Sequence, residues 1–115
     1  MADDSATCIF CRIVRGEIPS TMVASNDVAV AFRDLDPKAP VHVLVVPRRH
    51  ITSLDDSPDK ATLGELLALA TEVARQEGLA RGYRVVLNTG SDGGQTVSHL
   101  HAHVLGGRHM AWPPG

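Results

Sequence analysis

The chain has 115 residues and a mass of 12.3 kDa, which predicts a single domain over residues 1–115. Hydrophobic residues make up 43% and charged residues 21%, a composition that argues against disorder, collagen and coiled coil. The formal net charge is −2 and the pI is about 6.3, so a basic groove for nucleic acid is not expected.

The amino terminus is acidic and lacks the positive region and apolar stretch of a signal peptide. The longest apolar run, residues 43–47, has the length of a strand and is far too short to span a membrane. We therefore expect a cytoplasmic protein without a membrane partner, in which residues 1–7 are a flexible amino terminus.

Short apolar segments between glycines and prolines predict the first elements. Residues 9–18 predict a short amphipathic turn or helix, which Gly16 and Pro19 end. Residues 28–33 and 40–47 predict two strands, the second rich in valine and interrupted by His42.

One main helix is predicted over residues 58–77. Ser57 is a suitable N-cap, Pro58 suits the first helical position, and Gly78 can end the helix. Apolar residues at spacings of three and four predict one buried stripe: Leu63, Leu66, Leu67, Ala70, Val73 and Ala74.

The carboxy-terminal third predicts a strand over residues 83–88, a loop with three glycines over 89–97 and a strand over 99–105. Strands outnumber helices and are not separated by regular crossovers. This pattern favours an α+β fold, with an antiparallel sheet of about five strands and one main helix on one face.

Cys8 and Cys11 form a Cys-x-x-Cys pair close to the amino terminus. No strand precedes the pair, which argues against a thioredoxin-like redox motif. A zinc half-site would need two more ligands, for which His50 and the carboxy-terminal histidines are the available donors. Two small buried thiols remain the simpler alternative.

Histidines alternate with small or apolar residues between His99 and Val104. On a strand this alternation places His99, His101 and His103 on one face. A solvated polar face, a three-histidine metal site and a pH sensor are possible explanations. Acid–base or nucleophilic work by the middle histidine is favoured, because the preceding loop around Gly93 can bind an anion through converging backbone N–H groups.

These histidines resemble the defining motif of the histidine triad (HIT) superfamily. The segment His99–Leu105 has the form His-φ-His-φ-His-φ-φ, where φ is apolar and Ala102 occupies one such position. The similarity covers nearly the whole chain, and the loop and tail resemble the Hint branch. Its other matches are Cys8, Cys11, Ile18-Pro19, Ala31–Asp34, Ala39-Pro40, His42, Val46-Pro47, His50-Ile51, Gly82–Arg84, Gly90–Gln95, Gly106–Arg108 and Trp112–Gly115.

The resemblance implies a homodimeric, HIT-like fold, with the sheet continued across the dimer, that binds purine nucleoside monophosphates. It implies hydrolysis of the P–N bond of purine nucleoside 5′-phosphoramidates through a covalent nucleotidyl-histidine. His101 resembles the nucleophile, His103 a neighbour that contacts the phosphate, and His42 the histidine that completes the polar network. The implied nucleotide-binding residues are Asp34 for the ribose, Asn88, Gly94, Gln95 and Thr96 for the phosphate, and Ile9, Phe10, Ile13, Ile18, Phe32 and Leu35 around the base.

Some members of the superfamily hold a structural zinc ion on four positions that match Cys8, Cys11, His50 and His99. The resemblance therefore implies a closed zinc site apart from the reaction centre, whereas catalysis itself is expected to need no metal. A purine nucleotide-binding or scaffold protein with incidental hydrolysis, and a dinucleoside polyphosphate hydrolase, are the alternative functions. The sequence departs from the family at Thr96 and Ser98, where a serine and an aromatic residue are common.

Overall fold

The structure is a computed structural model that describes residues 4–115. It contains two α-helices, α1 (Ile9–Val14) and α2 (Lys60–Gln76), and two short 3-10 turns, Asp4–Ala6 and Leu54–Asp56. Its five strands are β1 (Met22–Ser25), β2 (Ala29–Arg33), β3 (Val41–Pro47), β4 (Tyr83–Val86) and β5 (Ala102–Gly106). None of the helices in this part of the chain is both long and apolar enough to cross a bilayer.

The five strands form one antiparallel sheet in the order β1-β2-β3-β5-β4. This architecture confirms the predicted α+β class, with an antiparallel sheet and one main helix. The sequence pattern did not locate β1, because it has only four residues, lies at the sheet edge and buries no side chain completely. Strands β1 and β4 are the two edges of the sheet within the described chain.

Each face of the sheet is covered by a different helix. Helix α2 covers one face, where valines and alanines of the strands pack against its leucines. Helix α1 covers part of the opposite face, where Phe10 and Ile13 pack against Phe32, Leu44 and other apolar strand residues. The valine-rich β3 is buried by both helices because it occupies the centre of the sheet.

The boundaries of α2 differ from the prediction at its amino-terminal end. Asp59, not Ser57, is the N-cap, and its carboxylate accepts a hydrogen bond from the Thr62 amide at 3.2 Å. Ser57 instead adopts the left-handed conformation at φ 49° and ends the 3-10 turn Leu54–Asp56. The predicted N-cap was therefore wrong by two residues.

The buried stripe of α2 contains Leu69, whereas the predicted Leu67 is 44% exposed. The carboxy-terminal prediction is confirmed: Gly78 has φ 73°, and its amide bonds the carbonyl of Arg75. The next amide, of Leu79, bonds the carbonyl of Ala74, which completes a Schellman motif.

The predicted strand over residues 99–105 is wrong at its start. Strand β5 begins at Ala102, where it pairs with Val45 of β3, so only His103 of the three histidines lies within a strand. His99 lies in a bend, and the Leu100 amide bonds the Ile51 carbonyl at 2.6 Å. Strand β4 likewise ends at Val86 and does not reach the predicted end at Asn88.

The predicted flexible segment 1–7 lies partly outside the described residues. In the described part, Asp4–Ala6 form a 3-10 turn, and the carbonyl of Ser5 accepts a hydrogen bond from Arg15 at 3.1 Å.

Candidate functional site

The three predicted catalytic histidines meet on the face of the sheet that α1 partly covers. His42 lies on β3, His103 lies on β5 two residue pairs further along, opposite Leu44, and His101 directly precedes β5. The ring centroids of His42 and His103 are 5.1 Å apart, and those of His101 and His103 are 4.9 Å apart. Strand pairing therefore assembles residues that lie about 60 positions apart in sequence.

The His101 ring is held by the backbone of the bend that precedes it. Its Nδ1 lies 2.6 Å from the carbonyl oxygen of His99, so Nδ1 carries the proton and donates it. The Nε2 atom of the neutral ring then carries a lone pair. The His101 side chain is buried, and its ring packs edge-on against Phe10 with centroids 5.1 Å apart. An imidazole that is oriented in this way and has a free lone pair can act as a nucleophile.

Hydrogen bonds also assign the protons of His42 and His103. The amide of Lys38 donates to His42 Nδ1 at 3.0 Å, so the His42 proton must lie on Nε2. This Nε2 lies 2.9 Å from His103 Nδ1 and donates to it. The remaining proton of His103 therefore lies on Nε2, which is buried and has no hydrogen-bond partner among the described residues.

Burial favours the neutral forms of these histidines. It lowers the pKa of His103 to about 4, and the positive forms of His101 and His42 would add to this effect. Burial also lowers the pKa of His42, although the nearby Asp34 carboxylate opposes the shift. At neutral pH, His103 is consequently an uncharged ring that presents one unpaired N–H group.

Asp34 directly follows β2 at the border of this histidine cluster. Its Oδ2 lies 3.5 Å from His42 Nε2, and its Oδ1 accepts a hydrogen bond from the Asp36 amide at 2.8 Å. The predicted ribose ligand is thus close to the histidines. The neighbouring Leu35 is 80% exposed and is not part of the core.

The glycine-rich loop after β4 contains the predicted phosphate-binding residues, of which Gln95 has another role. Its side-chain amide donates to the carbonyls of Thr52 at 2.7 Å and Val97 at 3.0 Å, and its Oε1 accepts from the Gly90 amide at 3.2 Å. Gln95 therefore holds the loop together, and its amide group is already occupied. Asn88 is half-buried, while Gly94 and Thr96 are exposed.

The predicted apolar wall around a base falls into two groups. Phe10, Ile13 and Phe32 are buried in the core between α1 and the sheet, where the two phenyl rings meet edge-on at 5.6 Å. Ile18 is half-buried and Ile9 is 43% exposed. Ile9 and Ile18 are therefore more accessible to a ligand than the three core residues.

The four predicted metal ligands lie close together at the amino-terminal end of α1. The sulfur atoms of Cys8 and Cys11 and the Nδ1 atoms of His50 and His99 all lie within 4.8 Å of one another. Four of these atom pairs are 3.2–3.5 Å apart. Ligands of one tetrahedral zinc ion stand about 3.3–3.8 Å apart, since the metal–ligand bonds are about 2.0–2.3 Å long. Two thiols and two imidazoles at this spacing fit zinc.

Neighbouring groups already orient these ligands. Cys8 is the N-cap of α1, and its sulfur accepts a hydrogen bond from the Cys11 amide at 3.4 Å. His99 is completely buried, and its Nε2 donates to the Pro47 carbonyl at 3.0 Å, which leaves Nδ1 facing the other ligands. Burial lowers the pKa of His99 to about 4, so its ring is neutral as a metal ligand requires.

In a second group, Asp34, His42 and His103, three possible metal-ligand atoms also lie within 4.8 Å of one another. However, the facing nitrogens of His42 and His103 are only 2.9 Å apart, a hydrogen-bond distance that is shorter than the separation of two zinc ligands. The Lys38 amide also places a proton on His42 Nε2, the atom that would have to bind the metal. This group is therefore a hydrogen-bonded chain.

Comparison with known proteins identifies the family of the chain. The model of the HIT domain matches residues 15–110. The chain belongs to the HIT family. Among curated HIT relatives, an uncharacterised HIT-like protein of Synechococcus elongatus is 51% identical over 117 aligned positions that cover 100% of both chains. The 14 kDa zinc-binding protein of Zea mays is 50% identical over 98% of this chain and 91% of its own.

A third HIT relative, adenylylsulfatase HINT1 of Arabidopsis thaliana, is 49% identical over 97% of this chain and 78% of its own. Together with the Candida albicans histidine triad nucleotide-binding protein (TM-score 0.81, 32% identity, 92% and 82% of the two chains), it supports the Hint branch.

Solved HIT structures superpose over most of the chain. A HIT family hydrolase of Legionella pneumophila has a TM-score of 0.90 at 48% identity, covering 94% of this chain and 99% of its own. A zinc-bound histidine triad family protein of Mycobacterium smegmatis has a TM-score of 0.81 at 32% identity, covering 90% and 77% of the two chains.

Two participants in the site were not predicted from the sequence. The Lys38 amide and the Pro47 carbonyl orient histidines through main-chain atoms. Every residue type has a main-chain carbonyl, and nearly every type has an amide, so no side-chain pattern could have indicated these two positions.

Proposed function

We propose that this HIT protein hydrolyses purine nucleoside 5′-phosphoramidates, with His101 as the nucleophile. The observation that carries the proposal is the 2.6 Å hydrogen bond from His101 Nδ1 to the His99 carbonyl, which leaves the Nε2 lone pair for attack. Support for hydrolysis comes from the similarity to the Legionella HIT family hydrolase and to the Arabidopsis adenylylsulfatase.

The proposed reaction has two displacements at phosphorus. In the first, the His101 Nε2 lone pair forms a bond to the α-phosphorus, and the P–N bond to the amine breaks with its electron pair leaving on nitrogen. That nitrogen must also receive a proton, because an amide anion is a very poor leaving group. In the second, water attacks phosphorus, the bond to His101 breaks, and the nucleoside monophosphate is released.

The other predicted ligand positions belong to this proposal. Asp34 is close enough to the histidines for its carboxylate to bind ribose hydroxyls while phosphorus lies at His101. The exposed backbone around Gly94 and the hydroxyl of Thr96 are available to a phosphate, whereas the Gln95 side chain contributes by holding the loop. Asn88 completes the proposed phosphate-binding group.

We further propose that Cys8, Cys11, His50 and His99 bind a structural zinc ion. The donor spacing supports this assignment, as does the similarity to the maize zinc-binding protein and to the zinc-bound mycobacterial structure. The ion would tie α1 to the segments that follow β3 and precede β5, and its binding energy would contribute to folding. Metal analysis of protein purified without added zinc is expected to give about one zinc per chain; a metal-free, equally stable protein would contradict the assignment.

Adenylyl sulfate is a second candidate substrate, which the 49% identity to the Arabidopsis adenylylsulfatase favours. It shares the AMP half with the phosphoramidates, so the same attack by His101 would release sulfate in place of an amine. The two candidates differ only in the leaving group, and parallel assays on both substrates distinguish them.

A homodimer is also part of the proposal. Strand β4 is an edge of the sheet in the described chain, and Tyr83 on it is 42% exposed. Pairing of β4 with a second copy would continue the sheet and cover this edge. Light scattering at micromolar concentration is expected to give twice 12.3 kDa, and a mass of 12.3 kDa would contradict it. Cytoplasmic location remains a prediction for cell fractionation to test.

The reaction is tested by release of AMP from a lysine-linked adenosine 5′-phosphoramidate, after a chelator has removed loosely bound metal. Wild-type protein is expected to turn over, and His101→Ala to lose at least about 10³-fold in rate. His109→Ala is the matched control, because His109 is an exposed histidine in the carboxy-terminal tail. Equal turnover by the wild type and His101→Ala would overturn the assigned nucleophile.

A further inference from the structure

The hydrogen-bonded chain from Lys38 to His103 has a defined direction. It starts at a main-chain amide, which can only donate, and passes from the Lys38 amide to His42 Nδ1 at 3.0 Å and from His42 Nε2 to His103 Nδ1 at 2.9 Å. Each ring must therefore accept at one nitrogen and donate from the other. The chain ends at His103 Nε2, a buried N–H group without a partner in the described structure.

We propose that the Lys38 amide, acting through His42, locks His103 as a neutral hydrogen-bond donor that holds a phosphoryl oxygen and does not protonate the leaving group. Lys38 and His42 are thus positioning residues for His103. The proposal rests on the proposed function for the identity of the bound oxygen, but the locked proton position does not depend on it.

The geometry disfavours a positively charged His103. A doubly protonated His103 would point its Nδ1–H at His42, so His42 would have to move its own proton from Nε2 to Nδ1. That proton would then face the Lys38 N–H group, and two donors would oppose each other without an acceptor. The hydrogen-bonded chain is therefore compatible with only one arrangement of protons, in which the His42 and His103 rings are both neutral.

The other charged groups around the chain do not reverse this conclusion. Asp34 Oδ2, 3.5 Å from His42 Nε2, favours the proton on that same nitrogen. The Lys38 ammonium is paired with Asp36 at the surface, at 2.5 Å. Burial lowers the pKa of both histidines, which agrees with the neutral state that the hydrogen bonds require.

If neutral His103 lost its Nε2 proton, the ring would become an imidazolate. The hydrogen-bonded chain from Lys38 has no further proton that could replace the lost one. His103 can thus stabilise the negative charge that develops on a phosphoryl oxygen, while its N–H bond stays intact. In phosphoramidate cleavage, the His101–phosphorus bond forms and the P–N bond breaks. The proton on the departing amine then comes from water or from the substrate's own protonated nitrogen.

Nuclear magnetic resonance of ¹⁵N-labelled protein tests the locked proton directly. Two-bond ¹H–¹⁵N correlations distinguish a ring nitrogen that carries a proton from one that does not. At neutral pH, His103 is expected to carry its proton on Nε2 alone, without any nucleotide present. A His103 ring that is protonated at Nδ1, or at both nitrogens, would overturn the proposal.

Two variants at one position test the origin of the lock. Lys38→Pro removes the amide proton, whereas Lys38→Ala removes the side chain and keeps the amide. Only Lys38→Pro is expected to shift His103 to a mixture of both neutral tautomers, and an unchanged His103 in folded Lys38→Pro would refute the role of Lys38. If Lys38→Pro does not fold, His42→Ala replaces it: a mixture is again expected, and an undisturbed Nε2 proton would refute the chain.

Kinetics separate a hydrogen-bond donor from a proton donor. Sulfate leaves adenylyl sulfate without needing a proton, whereas an amine needs one. His103→Ala is therefore expected to slow both substrates by the same factor, about 10²- to 10³-fold. His103→Gln, which can donate a hydrogen bond but not a proton, should recover on the order of tenfold on both, a partial restoration of the donor bond.

Either of two kinetic results would overturn the proposal. One is a loss for His103→Ala that is at least tenfold greater on the phosphoramidate than on adenylyl sulfate. The other is a His103→Gln variant as slow as His103→Ala. If the wild type hydrolyses neither substrate, the proposed function fails, and the proton position measured by magnetic resonance decides this inference alone.

Discussion

Replacing His99 by alanine tests whether the first histidine of the triad is a metal ligand rather than part of the reaction centre. The His99 side chain is completely buried, and its removal would leave a cavity beside Phe10, whose ring centroid lies 5.8 Å from that of His99. It would also leave the Pro47 carbonyl without its 3.0 Å hydrogen bond and the metal site with three ligands.

The expected loss of stability can be estimated from these contacts. Truncation of a large buried side chain to alanine costs about 2–5 kcal/mol. The Pro47 carbonyl that is left unsatisfied costs about 1–3 kcal/mol. Part of this cost is already included in the measured cost of truncation, so the two are not simply added. We therefore expect His99→Ala to lose about 3–5 kcal/mol of unfolding free energy even without metal, and more when the wild type is loaded with zinc.

Urea unfolding in chelator measures the loss of stability without metal, and urea unfolding in zinc measures the additional loss that depends on the metal. The wild type should be less stable in chelator, whereas His99→Ala should have the same stability in both. His101→Ala is the matched control, because it removes a buried triad histidine that is not one of the four proposed zinc ligands, and it should keep the wild-type response to chelator. The reasoning is refuted if His99→Ala responds to chelator as the wild type does, or if His101→Ala loses that response.

Three further predictions concern the nucleotide site and the fold. His101→Ala should bind AMP with an affinity within about threefold of the wild type, measured by calorimetry, because a nucleophile acts mainly in the transition state; a much larger loss of affinity would contradict this role. Gly93→Ala should weaken AMP binding, since its Cβ would lie 2.3 Å from the Thr89 carbonyl oxygen, whereas the control Gly64→Ala, in open space on α2, should raise the unfolding free energy by about 0.5–1 kcal/mol. The His103 pKa is about 4 when folded against an ordinary value of 6.5, so the unfolded chain binds more protons between these values and the stabilisation present above pH 6.5 is lost as pH falls toward 4. As pH falls from 6.5 to 4, the free energy of unfolding should therefore decrease more for the wild type than for His103→Gln, by up to about 3 kcal/mol. Parallel pH profiles of the two proteins would refute the assignment.

Much of the sheet was predictable because its central strands have strong local patterns. The valines between residues 41 and 46 indicated β3, and the leucine spacing indicated α2. The errors occurred where local alternatives have similar energies. Ser57 and Asp59 are both good N-caps, and only the left-handed turn at Ser57 decides between them.

The candidate site was predictable in its residue types but only partly in its geometry. The Cys-x-x-Cys pair and the histidines indicated donors for a metal, and the structure brings all four predicted ligands together. The expectation of three histidines on one strand face failed, because alternation alone cannot show where strand pairing ends. Gln95 fits a phosphate-binding role by residue type, yet its amide is occupied by the loop that contains it.

The sequence by itself determined which side chains are available for chemistry, together with the central strands β2 and β3 and the main helix α2. Residue type sets whether a group can coordinate, attack or donate, and local periodicity sets which face of an element it occupies. These properties need no knowledge of distant partners.

Only the tertiary structure decided how the three triad histidines differ in role. Strand β5 begins at Ala102, where its pairing with β3 begins, so the chain before it turns and directs His99 toward the Pro47 carbonyl and the cysteines. The same bend presents the His99 carbonyl to His101, and the Lys38 amide sets the proton of His103 through His42. These roles depend on main-chain atoms brought together by folding, which identical side chains in a repeating pattern cannot specify.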